Sequence, residues 1–528
     1  MLNTWVAELY SELTLLEFDV VIVGGGHNGL VCGAYLAKTG LKVCVVERRP
    51  IVGGAAVTEE LWPGFRISRA SYVPSIMPQI VEDLKLTSFG LKMYPIDPQD
   101  FVPFPDRRFL FSFESHEKTA KEIEKFSKKD ASNYLKFAEF AAKFVETVEP
   151  LFLAPPPRMS ELLGLMQGTE IEEVIREILM TSCKDLLDEW FESEEVKAAL
   201  CMHGVLNTSM GPDTIGTSYI LANSVGKSKY KYAVGCTGAV SHAVASCLKA
   251  FGGKILVSSE VKRVLIQNGR AVGVELVTGE KIHSKAVVSN ADPKRTFLKL
   301  VGADNLDQKF VNRVEHLNAY GTSFKINVAL SEPLNFSAFP GTRVGPQHKA
   351  LLNISPTVDY VQKAYDECKW GRIPSEPPIS LFCQTAWDES VAPPNKHTLS
   401  IIAKYNPYHL ANGNWKDSKE KALENALNVI ESYAPNVRRS ILHLEALSPL
   451  DLEQIFGLTE GNVTHLDQTL NQMLSFRPTP ECSNYRTPIL GLYLCGAGTH
   501  PGGGVTGAPG HNAAQAVIED LRVASSSH

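Results

Sequence analysis

Asp19-Val20-Val21-Ile22-Val23-Gly24-Gly25-Gly26-His27-Asn28-Gly29 decides the fold of this chain. An apolar, β-branched run ends in G-x-G-x-x-G. A helix-like segment follows from Leu30 to Lys38 and closes at Gly40. A second apolar run, Lys42 to Val46, then delivers Glu47, eighteen residues after the last glycine of the motif. Strand, glycine turn, helix, strand and acid in this order make a βαβ dinucleotide-binding unit. Gly24 permits the tight turn. Gly26 removes the Cβ that would block a pyrophosphate, and Gly29 lets helix and strand pack closely. The free N–H groups and positive dipole end at the helix start hold the diphosphate. Glu47 stands where a carboxylate accepts hydrogen bonds from ribose hydroxyls.

Working outward, two further segments read as parts of the same domain. One begins with the glycine turn Gly235-Cys236-Thr237-Gly238 and a helix. It continues through β stretches Val261 to Ile266 and Ala271 to Val277, joined at Asn268-Gly269, and then Ala286 to Asn290. The other is the C-terminal part: a strand from Leu492 to Cys495, a glycine loop over 496–504, and a helix from Val505 to Val523. The fold class expected is α/β, with a discontinuous Rossmann-like nucleotide domain built from 18–85, 225–300 and 485–528. An α+β substrate or cap domain is expected from 86–224 and 301–484, with 1–17 as an N-terminal extension. In the inserts, 86–224 reads as mainly helical, and Lys118 to Lys129 as a solvated helix face. Strands are expected at Ser323 to Leu330, Ile379 to Cys383 and Leu399 to Tyr405. Helices are expected from Asp130 to Phe144 and from Asp417 to Ser432, each capped by its aspartate, and from Pro449 to Phe456.

The 528 residues are 44% hydrophobic and 21% charged, with a net charge of -6. No basic surplus points to nucleic acid. Ten cysteines lack C-x-x-C spacing, which argues against a redox disulfide or a zinc ribbon and favours reduced, buried thiols. Histidines and carboxylates fall into no metal-ligand spacing, so no metal is expected. No stretch approaches the roughly 18 apolar residues of a membrane-spanning helix. The first basic residue is Lys38, and residues 1–17 carry three glutamates. They read as an amphipathic helix rather than a basic presequence.

One G-x-G-x-x-G does not separate FAD from NAD. The pair Gly53-Gly54, and a second glycine-rich loop ahead of the last helix, favour the longer FAD, whose ring a second helix N-terminus can serve. At this point the chain resembles the FAD-dependent phytoene desaturase and carotenoid isomerase-like family. The likeness rests on the opening motif, Val45-Val46-Glu47-Arg48-Arg49, Gly53-Gly54-Ala55-Ala56, Gly64 to Tyr72, Gly461 to His465, Phe476-Arg477-Pro478 and Gly491 through Val505. It implies that Gly24, Gly26, His27, Asn28, Gly29, Glu47, Arg48, Gly53 and Gly54 serve the adenosine and diphosphate end. It implies that the backbone of Val261 meets the adenine, and that Gly496, Gly503, Gly504 and Val505 serve the flavin end. The chain departs from the family at Ala55, where many relatives have Arg, and at the 235–238 turn.

The activity implied is an FAD-dependent oxidoreductase, desaturase- or isomerase-like, passing hydride to flavin N5 from a hydrophobic small molecule. The electron acceptor is unassigned, and peripheral membrane contact and a mitochondrial matrix location, with a cytoplasmic alternative, come with the resemblance. No acid/base pair or triad stands out. His500, Arg69 and His27 are the catalytic candidates, though a loop-fixing hydrogen bond, a salt bridge and a phosphate-loop contact are the plainer readings of the three. His465 and Arg477 match family motifs without an assigned role. The rival reading is a binding or regulatory protein on a flavoprotein scaffold, since fold does not fix function. A flavin amine oxidase is a third.

Overall fold

A computed structural model describes residues 17–526, apart from 159, 162, 163, 165–167, 169, 206 and 227–229. The expected extension therefore lies outside the described residues, except for Glu17, which opens the first strand.

The apolar run at the start forms β1 (Glu17–Val23), and the segment before Glu47 forms β2 (Val43–Val46). They pair in parallel, joined by α1 (His27–Lys38). The same sheet takes up β3 (Lys254–Leu256), β4 (Val261–Gln267), β5 (Arg270–Leu276), β6 (Lys281–Ser289) and β7 (Leu492–Leu494). Its order is β4-β5-β6-β1-β2-β3, with β7 added on β6. The strands from β6 through β1 and β2 to β3, together with β7, run parallel; the β4–β5 and β5–β6 pairs are antiparallel. β1 is apolar on both faces because both are covered. Val20 and Ile22 pack with α1, while Val21 and Val23 face a second cluster with Phe297 and Leu494. Two more helices, α2 (Gly238–Ala250) and α3 (Ala508–Ser526), pack on the same side as α1.

A second sheet draws its strands from the inserts: Asp100–Pro103, Phe109–Ser112, Phe324–Leu330, Leu351–Ile354, Ile379–Cys383, His397–Ala403 and Ile441–Leu447. Phe324, Ile326, Val328, Leu399 and Ile401 bury one face against the helix Trp415–Tyr433. The alternate residues form the opposite face. Insert 86–224 is mostly helical but also supplies the strands at 100–103 and 109–112, which lie beside each other and join the sheet at Leu351 and Leu352.

Two expected caps are corrected. The helix Lys128–Val148 is capped by Ser127, whose side chain accepts the N–H of Asp130; Asp130 instead accepts from the N–H groups of Glu192 and Ser193. The helix Trp415–Tyr433 is capped by Asn414, which accepts the N–H of Asp417. In both cases a polar side chain just upstream reached the free N–H groups first. The last helix begins at Ala508, so Val505 stays in the loop.

Candidate functional site

β1 ends at Val23, and the chain turns at once through Gly24, which sits at φ 98°. Gly26 caps α1 with its backbone alone: no side chain accepts the first N–H groups, and no acid occupies the first turn. That leaves a positive helix end open to an anion. A Cβ at Gly29 would sit 2.3 Å from the carbonyl oxygen of Gly24, and one at Gly26 would sit 2.7 Å from Asn290 Nδ2. Gly53 donates to Gly25 O at 2.8 Å, and a Cβ at Gly54 would lie 3.1 Å from Gly26 Cα. The 53–54 turn therefore packs backbone to backbone on the opening loop.

Glu47 is buried. Its carboxylate accepts the N–H of Gly25 at 2.7 Å and the N–H of Arg49 at 2.8 Å. The acid so braces the loop, and each oxygen retains acceptor capacity for a ribose hydroxyl. Ser259 donates to Glu47 O, which brings the start of β4, at Val261, beside the same end of the sheet.

The tail loop meets the opening loop. His27 Nε2 lies 3.2 Å from Gly504 O, across 477 residues of sequence. Cys495 donates to Ser289 O, and a Cβ at Gly496 would lie 2.9 Å from both Asn290 O and His465 Nδ1. A Cβ at Gly503 would strike Thr464. A Cβ at Gly510 on α3 would come within 2.2 Å of Asn28 O, so the starts of α1 and α3 lie against one another. Val505, just ahead of α3, is buried in the same core cluster as both helices.

Three candidates have other work. Arg48 donates to the carbonyls of Gln454 and Ile455, tying down the end of the helix Pro449–Phe456. Arg69 forms ion pairs with Glu59 at 3.1 Å and Glu445 at 2.7 Å, so its charge is already matched. His500 Nε2 donates to Leu151 O at 2.9 Å, and the carbonyl of His500 accepts from Tyr485 Oη. Burial holds the imidazoles of His27 and His500 down to about 4, so both are neutral near pH 7.

The residue that sequence reasoning missed is Asn290. It follows β6, donates to Gly24 O at 3.3 Å and touches the positions of Gly24, Gly26, Gly29 and Gly496 together. Its only signal was its place directly after a strand. Arg477 is a second. Buried at 1% exposure, it donates to the carbonyls of Thr464, Leu466, Asp467, Gln472 and Ala497, binding the 464–472 segment to the tail loop.

The arrangement fits a dinucleotide. Side chains are excluded where a diphosphate approaches α1. Buried polar atoms, Asn28 Oδ1 and His465 Nδ1, lack protein partners on the same seam. Residues 22–86 match the NAD(P)-binding Rossmann-like domain model. The chain is 38% identical to the rat pyridine nucleotide-disulfide oxidoreductase domain-containing protein 2, over 96% of this chain and 94% of the other. It belongs to that protein's family. More distant relatives include a limonene dehydrogenase component of Castellaniella defragrans (29%, covering 96% and 95%) and a lycopene-forming phytoene desaturase of Pseudescherichia vulneris (25%, covering 95% and 99%). An oxidoreductase from Methanosarcina mazei shares the fold, with a TM-score of 0.63 at 18% identity, covering 96% of this chain and all of that one. The family is one of FAD-dependent oxidoreductases, and FAD is its cofactor. The disulfide in the family's name has no counterpart here: all ten cysteines are buried and free. Among the described residues no group of side chains could hold a metal, and no helix is long and apolar enough to cross a membrane.

Proposed function

We propose that this oxidoreductase is desaturase- or isomerase-like and acts on a hydrophobic small molecule, using an electron acceptor of its own compartment. When bound, FAD supplies the hydride acceptor. The chain's part is to clasp the cofactor from both ends and keep water from the reacting face. The carrying observation is the His27–Gly504 contact, which closes the tail loop over the opening glycine turn. The relatives named for limonene and phytoene support an apolar substrate. Kinship alone supports a mitochondrial matrix location and a peripheral membrane contact, with the cytoplasm as the alternative.

The test is spectroscopic. Purified protein should carry a flavin absorption band that bleaches under dithionite. Under anaerobic conditions the same band should bleach on mixing with an alkene or polyene substrate, and recover with an acceptor. A flavin that no apolar compound reduces would overturn the substrate reading. A colourless protein that takes up no FAD would return the scaffold reading.

A further inference from the structure

The face of the second sheet turned away from its helix mixes apolar residues such as Leu351, Phe382 and Ile402 with buried polar ones. Register sets Lys325, Ile402 and Ser380 in one cross-strand row, and Lys404 follows Ile402 by two residues, just beyond the strand end. A cavity lies against this face, lined by Lys404, Ile402, Ser380, Tyr72, Thr322 and Thr464, among others. Thr464 is the residue that bars a side chain at Gly503, so the cavity lies next to the tail loop at the flavin end.

Lys404 is 7% exposed. Its ammonium donates to the carbonyls of Val205 and Thr208. An ammonium has three donors, and these two acceptors are neutral. Among the described residues, no carboxylate pairs with it within 4.0 Å. Asp467 is the acid whose charge reaches it. That acid's Oδ1 is occupied by Thr208 Oγ1 and the N–H groups of Ser209 and Gln468. Lys325 repeats the pattern: it is 1% exposed, donates to Asn327 Oδ1 at 2.8 Å, and lies 5.9 Å from the ring of the cavity residue Tyr72. Burial pulls Lys404 down to about 8 and Lys325 to about 7, and the opposing charges of Asp467 and Glu445 only partly offset it.

A lysine whose only task was to hold the 205–208 turn would gain nothing from lining a cavity. A buried cation beside a cavity lined by Tyr72, Ser380 and Thr322 gains its missing partner when an anion enters. One spare N–H suits a single carboxylate oxygen better than a phosphate, which asks for several donors. We propose that Lys404 binds the carboxylate of the substrate, with Lys325 adding positive potential from the next strand. The substrate is then a small organic acid whose apolar body rests on Ile402 and the apolar parts of the lining. This rests on the oxidoreductase reading for its consequence, but the binding step is measured apart from turnover.

Calorimetry on the flavin-loaded full chain tests it with butanoate, octanoate and dodecanoate, each against its matched alcohol. At least one acid should bind tenfold or more tightly than its alcohol. Lys404→Met should remove that preference while flavin content stays unchanged, and Lys404→Arg should restore part of it. Equal binding of acid and alcohol by the native protein, no binding of any of the acids, or an undiminished preference in Lys404→Met would each overturn the proposal. The native comparison stands even where the variant fails to fold. Lys404-dependent acid binding in a protein without flavin would overturn the redox reading and leave the anion site intact.

Discussion

Gly26 and Gly29 exclude side chains for different reasons, and substitution separates them. The obstacle at Gly29 is the carbonyl of Gly24, a backbone atom in a turn that has no room to retreat. Gly29→Ala should therefore destabilise the fold by about 1–3 kcal/mol and be seen as a lower melting temperature. The obstacle at Gly26 is the amide of Asn290, which can rotate away. Gly26→Val should leave circular dichroism and the melting of the flavin-free protein nearly native and abolish flavin retention, because the new side chain stands where the diphosphate approaches the helix. Full flavin content in Gly26→Val would remove that loop from the site. Arg69 is a residue whose charge is already matched on two sides. Arg69→Leu leaves Glu445 without its cation at a partly buried position, while Glu59 keeps Arg49, and a loss of about 2–3 kcal/mol is expected by chemical denaturation.

At the scale of elements, the junction of α1 and α3 is decided by one glycine near the start of the final helix. Gly510 lets α3 approach until a Cβ would be 2.2 Å from Asn28 O. Gly510→Ala should push the two helix starts apart. The expected result is faster flavin release together with a lower melting temperature; unchanged release would mean that the two starts act independently. The βαβ unit itself was legible in the sequence because its signals are local: the glycines, the apolar runs and the acid sit within thirty residues of one another. The strands at 100–103 and 109–112 were not, because each is four residues long, and the pair finds its place in the sheet only where 100–103 meets Leu351 and Leu352. The two misplaced helix caps have the same origin: several polar residues stood near each helix start, and backbone geometry chose among them.

Across the whole molecule, the tail loop is fastened to the first insert as well as to the opening loop. His500 meets Leu151 O, and Asn512 donates to Phe152 O at 2.9 Å. His27 and His500 are both held down to about 4 by burial. In the unfolded chain each takes up its proton near 6.5. Between those values the unfolded state binds more protons, so stability falls as pH drops from 6.5 toward 4 and is unaffected by these groups above 7. The full effect is about 3 kcal/mol per histidine. Melting temperature followed from pH 7.5 to about 4.5 should decline, and His500→Gln, which keeps a donor for Leu151 O, should decline less steeply. Equal slopes would show that His500 does not titrate differently in the two states.

The sequence by itself determined the nucleotide cradle, since a strand, a glycine turn and a helix start are specified by residues that touch along the chain. It also carried the alternation of Phe324, Ile326 and Val328 with Lys325 and Asn327. Only the tertiary structure decided what those alternate residues face. Arg48 stands next to Glu47 in the chain, yet its guanidinium is drawn to carbonyls 406 and 407 residues away. Asn290 and Lys404 gained their roles in the same way. A buried polar group must find partners wherever the packed chain brings them, and those partners are set by how the two sheets meet, not by sequence neighbours.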